Sequence, residues 1–130
     1  MARVLLVDDS MYQRNKLRKT LEAAGYEVLE GGDGEEGLSM AASNKPDCMM
    51  LDLIMPKVGG MEVLQDLHEK HITIPVIIHT SDIQEETKKE CLALGAVAFL
   101  NKPSRDEDVL AAIAEALKPQ GKESGNASIT

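Results

Sequence analysis

The stretch Cys48-Met49-Met50-Leu51-Asp52-Leu53-Ile54-Met55-Pro56 decides the fold and organises the candidate site. An apolar run ends in a single carboxylate, that of Asp52, and a proline follows four residues later. A short, nearly continuous apolar run is typical of a strand that is buried on both faces of a sheet. The pattern therefore predicts a buried strand that delivers Asp52 to the rim of the sheet.

Three further apolar runs end in polar residues in the same way. They are residues 4–7 before Asp8 and Asp9, residues 76–79 before Thr80 and Ser81, and residues 97–100 before Asn101, Lys102 and Pro103. In open parallel sheets, sites form outside the carboxyl ends of the strands. We therefore expect these polar side chains to belong to one site.

Helical patterns lie between the expected strands, and a fifth, short strand is expected at residues 27–30, at an edge of the sheet. Five strands thus alternate with five helices, and the central strands are almost continuously apolar, as in parallel sheets that are covered on both faces. The sequence predicts an α/β fold, a doubly wound five-stranded parallel sheet, in a domain of residues 1–118. Residues 119–130 are small and polar, and we expect a flexible tail there.

The expected helix starts share a pattern in which a Ser or Asp lies three positions before a Gln or Glu. In such a capping box, each side chain satisfies a free backbone N–H at the helix start. The pairs are Ser10 with Gln13, Asp33 with Glu36, and Ser104 with Glu107. Gly25 and Gly95 are expected to end helices. Gly37 falls inside a helix, where glycine costs about 1 kcal/mol relative to alanine.

The bulk composition excludes several classes of function. The chain has 130 residues and a net charge of −8, which argues against general binding to nucleic acids or anionic membranes, because both need a basic surface. No apolar run reaches the roughly 18 residues of a membrane span, and no signal peptide is recognisable, so we expect a cytoplasmic protein without membrane insertion. Cys48 and Cys91 lack metal-ligand spacing and are expected in the core.

The polar residues at the predicted edge suggest phosphoryl chemistry. If the first and third strands are neighbours, Asp8, Asp9 and Asp52 converge, and three carboxylates repel one another unless a cation binds them. Such oxygen ligands suit Mg²⁺, with Mn²⁺ as an alternative. Lys102 adds a positive charge, and a metal with a lysine can stabilise a transferring phosphoryl group. A carboxylate beside them can act as the nucleophile.

The ordered set of motifs resembles the receiver domain of two-component response regulators, and the stand-alone, CheY-like type is the nearest. The resemblance covers about residues 2–118 and implies the flavodoxin-like strand order 2-1-3-4-5. It implies a phosphoacceptor switch rather than an enzyme with turnover. The motifs are Leu5-Leu6-Val7-Asp8-Asp9-Ser10, Leu51-Asp52-Leu53-Ile54-Met55-Pro56, Ile78-His79-Thr80-Ser81 and Asn101-Lys102-Pro103.

The resemblance also implies roles for individual residues. Asp52 would accept phosphate from the phosphohistidine of a sensor histidine kinase or phosphotransfer protein. Phosphorylation would change the surface of the fourth helix, fifth strand and fifth helix, and so control binding of a protein target, with chemotaxis-type signalling as the expected pathway. The other implied roles are Mg²⁺ binding by Asp8, Asp9, Asp52 and the Ile54 carbonyl, phosphoryl contacts from Lys102 and Thr80, a switch formed by Thr80 and Phe99, and a cis peptide at Lys102–Pro103.

Alternative functions stay open at the level of the sequence. A phosphorelay intermediate, or a receiver that is part of a larger regulator, would carry the same residues. A phosphatase of the haloacid-dehalogenase type also uses an aspartate nucleophile and Mg²⁺, but it needs a second aspartate where Ile54 stands. A nucleotide- or flavin-binding module would need a glycine-rich loop that is missing. His79 is interpreted as a half-buried structural residue, with a proton shuttle or ligand as the alternative.

Overall fold

A computed structural model describes residues 1–118, so the tail expected at residues 119–130 lies outside the described residues. Strands and helices alternate along this part of the chain. They are β1 (Arg3–Val7), α1 (Met11–Ala23), β2 (Glu27–Gly31), α2 (Gly34–Asn44), β3 (Cys48–Leu51), α3 (Gly60–Glu69), β4 (Val76–Thr80), α4 (Glu85–Ala93), β5 (Ala98–Asn101) and α5 (Asp106–Ala116). Within residues 1–118, none of the helices combines the length and apolar character that crossing a membrane requires.

The five strands form one parallel sheet in the order β2-β1-β3-β4-β5. Leu6 of β1 lies opposite Glu30 of β2 on one side and Met50 of β3 on the other. Ile78 of β4 lies opposite Leu51 and Phe99. The predicted fold class, the strand order and the edge position of β2 are confirmed.

Alternate residues of the strands enter two hydrophobic clusters, one on each face of the sheet. Helices α2, α3 and α4 cover the first face, and α1 and α5 cover the second. Helices therefore shield both faces of the sheet from solvent, which explains why the strands are apolar at almost every position. The first cluster includes Leu5, Val7, Met49, Leu51, Val63, Leu64, Ile78 and Cys91, and the second includes Val4, Leu6, Leu17, Leu21, Cys48, Met50, Ile77 and Ile113.

The cysteines are both fully buried, as expected for core residues. Burial raises the pKa of the Cys48 thiol to about 12, since the thiolate would lose its hydration. His68 and His71 are exposed.

The three expected capping boxes have different outcomes. Ser10 caps α1 and accepts a hydrogen bond from the Gln13 N–H at 3.2 Å. Asp33 caps α2 through the Glu36 N–H, but the Glu36 carboxylate accepts from the Gly32 N–H instead of returning to Asp33.

The capping box predicted at Ser104 and Glu107 is wrong. The N-cap of α5 is Arg105, one residue later, and its side chain makes no capping bond. The Ser104 hydroxyl is engaged elsewhere, with the ring of His79. The first turn of α5 contains three acidic residues, and their negative charges stabilise the helix start by interacting with the positive end of the helix dipole, although no side chain caps it.

One smaller boundary also differs from the expectation. The fifth strand begins at Ala98 rather than Val97, which is exposed, and it includes Asn101. Gly25 and Gly95 follow helix ends with φ of +95° and +103°, the left-handed conformation that favours glycine.

Gly37 lies where α2 crosses β1 closely. A Cβ atom at this position would lie 2.8 Å from Cγ1 and 2.9 Å from Cγ2 of Val7. The low helix propensity of Gly37 is therefore offset by a close approach that no larger residue allows without movement. This contact brings α2 against the strand that carries Asp8 to the site.

Candidate functional site

The candidate site lies at the carboxyl edge of the sheet, where backbone bonds between neighbouring strands extend one residue past the strand ends. The Asp8 N–H donates to the Gly31 carbonyl at 3.1 Å, and the Asp52 N–H donates to the Val7 carbonyl at 3.0 Å. The Lys102 N–H donates to the Thr80 carbonyl at 2.8 Å. These bonds fix how far past the strand ends each side chain lies, so the site residues are positioned by the sheet itself.

Lys102 joins two of the carboxylates. Its Nζ atom lies 2.8 Å from Asp8 Oδ2 and 3.1 Å from Asp52 Oδ2. The side chains of Asp8 and Asp52 are buried, with relative exposures of 6% and 7%, and that of Lys102 is partly buried at 15%. Burial alone would lower the pKa of Lys102, but the hydrogen bonds to Asp8 and Asp52 outweigh it, so the pKa lies above its ordinary value. The ammonium is therefore charged.

The other oxygen of each carboxylate accepts from the backbone. Asp8 Oδ1 accepts the Ser10 N–H at 2.9 Å, and Asp52 Oδ1 accepts the Ile54 N–H at 3.2 Å. Both carboxylates are thus oriented through each of their two oxygens. Hydrogen bonds to a charged group are stronger than those between neutral groups, so these bonds fix the orientation of the two carboxylates.

Asp9 completes a cluster of three acids. Asp8, Asp9 and Asp52 each offer a carboxylate oxygen, and these oxygens lie within 4.8 Å of one another. Asp9 is exposed, whereas the other two are buried. A set of oxygen donors open to solvent on one side fits Mg²⁺, which binds through one or two carboxylates and keeps several waters. The three acids that the sequence singled out as metal ligands are thus brought together.

The remaining predicted site residues lie around this cluster in different environments. Thr80 is fully buried, and its hydroxyl accepts the Asp82 N–H at 3.3 Å. Phe99 is half-buried and packs against the first hydrophobic cluster. The Ile54 side chain is exposed, although its N–H contacts Asp52. The Lys102–Pro103 peptide bond is cis, the isomer that the resemblance implied.

Two contacts near the site were not predicted. Arg14 of α1 donates from Nη1 to the Asp8 carbonyl at 2.6 Å and from Nε to Glu30 at 2.7 Å. Burial would raise the pKa of Glu30, but its hydrogen bonds with Arg14 and Arg18 outweigh that effect and lower the pKa. The guanidinium of Arg14 thereby lies against the loop that carries Asp8 and Asp9.

The second unpredicted contact joins His79 to Ser104. His79 Nε2 lies 2.8 Å from Ser104 Oγ, and His79 is only 4% exposed, more buried than the half-buried position expected for it. The available signal was a polar residue inside an apolar strand, which requires a partner. Sequence spacing could not identify that partner 25 residues away.

Comparisons with known proteins agree with this geometry. The family model of the response regulator receiver domain matches residues 4–114. Protein PilH of Pseudomonas aeruginosa is 38% identical over 87% of this chain and 95% of its own length. The chain also spans about half the length, 48%, of several other curated relatives that it matches.

Solved structures give the same result. Chemotaxis protein CheY4 of Vibrio cholerae superposes with a TM-score of 0.84 at 34% identity, over 90% of this chain and 99% of that protein. A chain in the crystal structure of the CheX-CheY-BeF3-Mg²⁺ complex from Borrelia burgdorferi superposes with a TM-score of 0.84 at 29% identity, over 88% of this chain and 87% of that chain. Because the family model matches residues 4–114 and the strands have the same arrangement as in these structures, this chain belongs to the response regulator receiver domain family of two-component signalling.

Proposed function

We propose that this chain is a phosphorylation-controlled binding switch in which Asp52 accepts a phosphoryl group. The observation that carries the proposal is the Lys102 ammonium, which bonds to both Asp8 and Asp52 beside the third acid, Asp9. Lys102, with a relative side-chain exposure of 15%, thus lies beside a cluster of three acids at an edge where Asp9 is exposed. The same arrangement suits the transfer of a charged group to a carboxylate.

In the proposed transfer, an Asp52 carboxylate oxygen attacks the phosphorus of a phosphohistidine on a sensor kinase or phosphotransfer protein. The P–O bond forms as the P–N bond breaks, and the leaving imidazole keeps the electron pair and takes a proton from solvent. Lys102 stabilises the negative charge of the phosphoryl oxygens, since its ammonium already lies against Asp52 Oδ2. The product is an acyl phosphate on Asp52.

Asp8, Asp9, Asp52 and the backbone carbonyl of Ile54 would hold Mg²⁺, and Mn²⁺ has the same preference for oxygen ligands. When bound, the cation would neutralise charge that develops on the phosphoryl oxygens. The three acids support this assignment through the proximity of their oxygens, all within 4.8 Å. The presence of Mg²⁺ in the similar Borrelia burgdorferi structure supports it further.

The proposed switch uses Thr80 and Phe99. The Thr80 hydroxyl would exchange its bond with the Asp82 N–H for one with a phosphoryl oxygen. Phe99 would then turn further inward from its half-buried position on β5. These movements would alter the surface formed by α4, β5 and α5 and so control binding of a protein target.

We further propose a role in chemotaxis-type signalling in the cytoplasm, and the likeness to the chemotaxis protein CheY4 supports the chemotaxis-type role. A phosphorelay intermediate is the alternative, and so is a receiver in a larger regulator, since the chain spans half the length of several relatives. A search for bound proteins that compares the phosphorylated protein with an Asp52→Ala variant would separate these roles. A partner that is itself a histidine phosphotransfer protein would favour the relay.

The test of the phosphoacceptor is labelling by acetyl phosphate in the presence of Mg²⁺, followed by intact-protein mass spectrometry. We expect one phosphoryl group on the parent protein and none on Asp52→Asn, because the neutral amide side chain is not a nucleophile for phosphoryl transfer. Asp106→Asn, which removes the same charge from the exposed start of α5, is the control and should be labelled like the parent. Equal labelling of Asp52→Asn would contradict the assignment, and turnover of a generic phosphate ester would favour the phosphatase.

A further inference from the structure

The segment Lys102-Pro103-Ser104 carries the lysine of the site out of β5 and towards α5. Two bonds attach this segment to β4. The Lys102 N–H donates to the Thr80 carbonyl at 2.8 Å, and the Ser104 hydroxyl lies 2.8 Å from His79 Nε2. The first bond continues the pattern of the sheet, whereas the second depends on two particular side chains.

His79 is an unusual residue at its position. All five residues of β4 are buried, and the other residues of the strand are apolar apart from Thr80 at its end. A buried imidazole is costly unless a partner satisfies its ring nitrogens. Burial, with a further contribution from the Lys102 charge, lowers the pKa of His79 to about 4, so the ring is neutral near pH 7. A neutral imidazole and a hydroxyl can form a directional hydrogen bond.

The bond lies on the side of the sheet covered by α1 and α5. A small cavity of about 30 Å³ is bordered there by His79, Lys102, Ser104 and residues of α1 and α5. His79 also borders a cavity of about 10 Å³ that is lined by Asp8 and Asp52. The imidazole is therefore located between the loop that carries the lysine and the strands that carry the acids.

We propose that the His79–Ser104 hydrogen bond tethers the β5–α5 loop to β4 and thereby positions the Lys102 ammonium for phosphoryl transfer to Asp52. His79 and Ser104 are positioning residues, since they act through Lys102 and do not contact the reacting group. The inference rests on the proposed function of Asp52. Its physical basis is that a lysine has a long flexible stem, so a backbone that is fixed on both sides reduces the range of positions open to the ammonium.

The test is a double-mutant cycle measured on the full chain. The initial rate of Asp52 labelling by acetyl phosphate in Mg²⁺ is compared for the parent, Ser104→Ala, Lys102→Ala and the double variant. We expect Ser104→Ala to slow labelling by about threefold to tenfold, the equivalent of one lost hydrogen bond. In the Lys102→Ala background, the same substitution should have no further effect, because the group that it positions is gone.

Two further variants separate this role from a general loss of structure. Ser104→Thr keeps the hydroxyl and adds its methyl group beside a cavity of about 30 Å³, so it should keep the parent rate. Ser43→Ala removes an exposed hydroxyl near the end of α2, at the opposite edge of the sheet, and should label like the parent.

A second measurement does not depend on labelling of the Lys102→Ala variant. In protein with ¹³C-labelled lysine, the signal of the Lys102 carbon next to Nζ is identified by its loss in Lys102→Ala. We expect this signal to shift in Ser104→Ala and in His79→Val and to keep its parent position in Ser104→Thr.

The possible outcomes distinguish the inference from the proposed function. Parent-like labelling and an unmoved Lys102 signal in Ser104→Ala would overturn the tether alone, as would equal slowing with and without Lys102. A parent protein that takes no label at Asp52 would overturn both. The tether would be supported if Ser104→Ala slows labelling, Ser104→Thr does not, and Ser104→Ala has no further effect in the Lys102→Ala background.

Discussion

The contacts of Lys102 bear on the stability of the site as well as on its proposed role in phosphoryl transfer. Its ammonium neutralises part of the charge of two buried acids, with relative side-chain exposures of 6% for Asp8 and 7% for Asp52. Removing one member of a buried ion pair is costly, because the remaining charge loses its partner. The residue proposed to stabilise the phosphoryl group thus also makes the acidic edge tolerable within the fold. Sequence patterns showed the three charges but could not show that one lysine bonds to both acids.

At the same scale, His79 predicts a pH dependence of stability. Its pKa is lowered to about 4 in the folded protein, mainly by burial, and is about 6.5 in an unfolded chain. Between these values the unfolded state binds more protons, so stability falls as the pH drops. The single group should contribute a loss of about 2 kcal/mol between pH 7 and pH 5. Urea unfolding at pH 7, 6 and 5 measures this slope.

The comparison that isolates His79 uses two variants. His79→Val replaces the ring with an apolar side chain in a strand where its neighbours are apolar, and its stability should change less over the same pH range. His68→Asn removes an exposed histidine of α3 and should keep the parent slope. A parent slope that persists in His79→Val would assign the pH dependence to other groups.

At the scale of secondary-structure elements, the start of α3 is fixed by its contact with the loop after β3. A Cβ at Gly60 would lie 2.2 Å from the Asp52 carbonyl oxygen and 2.7 Å from Leu53 Cα. These are backbone atoms, so they cannot move aside as a flexible side chain could. The Gly60 N–H also donates to the Leu53 carbonyl at 3.1 Å, which holds α3 against the segment that carries Asp52.

Gly60→Ala should therefore destabilise the protein by about 2–3 kcal/mol, the typical cost of forcing extra atoms into a packed site. Urea unfolding at neutral pH measures the change. Gly32→Ala is the matched control, since its Cβ would meet only the side chains of Arg14 and Glu36, at 3.5 Å. That substitution should be neutral or slightly stabilising, because alanine restricts the unfolded chain.

Equal effects of Gly60→Ala and Gly32→Ala on the free energy of unfolding would mean that the contact at Gly60 is relieved by local movement.

The helix starts show how far local sequence determines an element. Ser10 and Ser104 both precede a Gln or Glu by three residues, yet only Ser10 caps its helix. The difference is a tertiary contact, because the ring of His79 binds the Ser104 hydroxyl and α5 begins after Arg105. Capping patterns report local preference, and a partner distant in sequence can override them.

Strand positions were more predictable than helix caps, because burial on both faces leaves a continuous apolar signal in β1, β3 and β4. The acids and Lys102 could be assigned to one edge for the same reason, since each follows a strand that runs in the same direction. The neighbouring order of those strands came from the resemblance and not from periodicity. Contacts between side chains, such as Arg14 with the Asp8 carbonyl, depend on packing and left no sequence signal.

At the scale of the whole molecule, the two hydrophobic clusters stabilise the sheet, and charged residues gather at its carboxyl edge. Helices on both faces leave that edge as the place where polar residues can gather without burial in the apolar core. The chain carries a net charge of −8, and three of its acids meet at this edge. Mutual repulsion among them is a cost that Lys102 offsets only in part, so a bound divalent cation should stabilise the whole fold.

Mg²⁺ should therefore raise the free energy of unfolding by about 1.4 kcal/mol at a concentration tenfold above its Kd. Urea unfolding in MgCl₂, compared with NaCl of equal ionic strength containing EDTA, measures the gain. Asp9→Asn removes one proposed ligand and should lose most of it, whereas Asp106→Asn removes the same charge from the exposed start of α5 and should keep it. An equal gain in both variants would mean that Mg²⁺ acts by screening the net negative charge, and would contradict a specific site at the carboxyl edge.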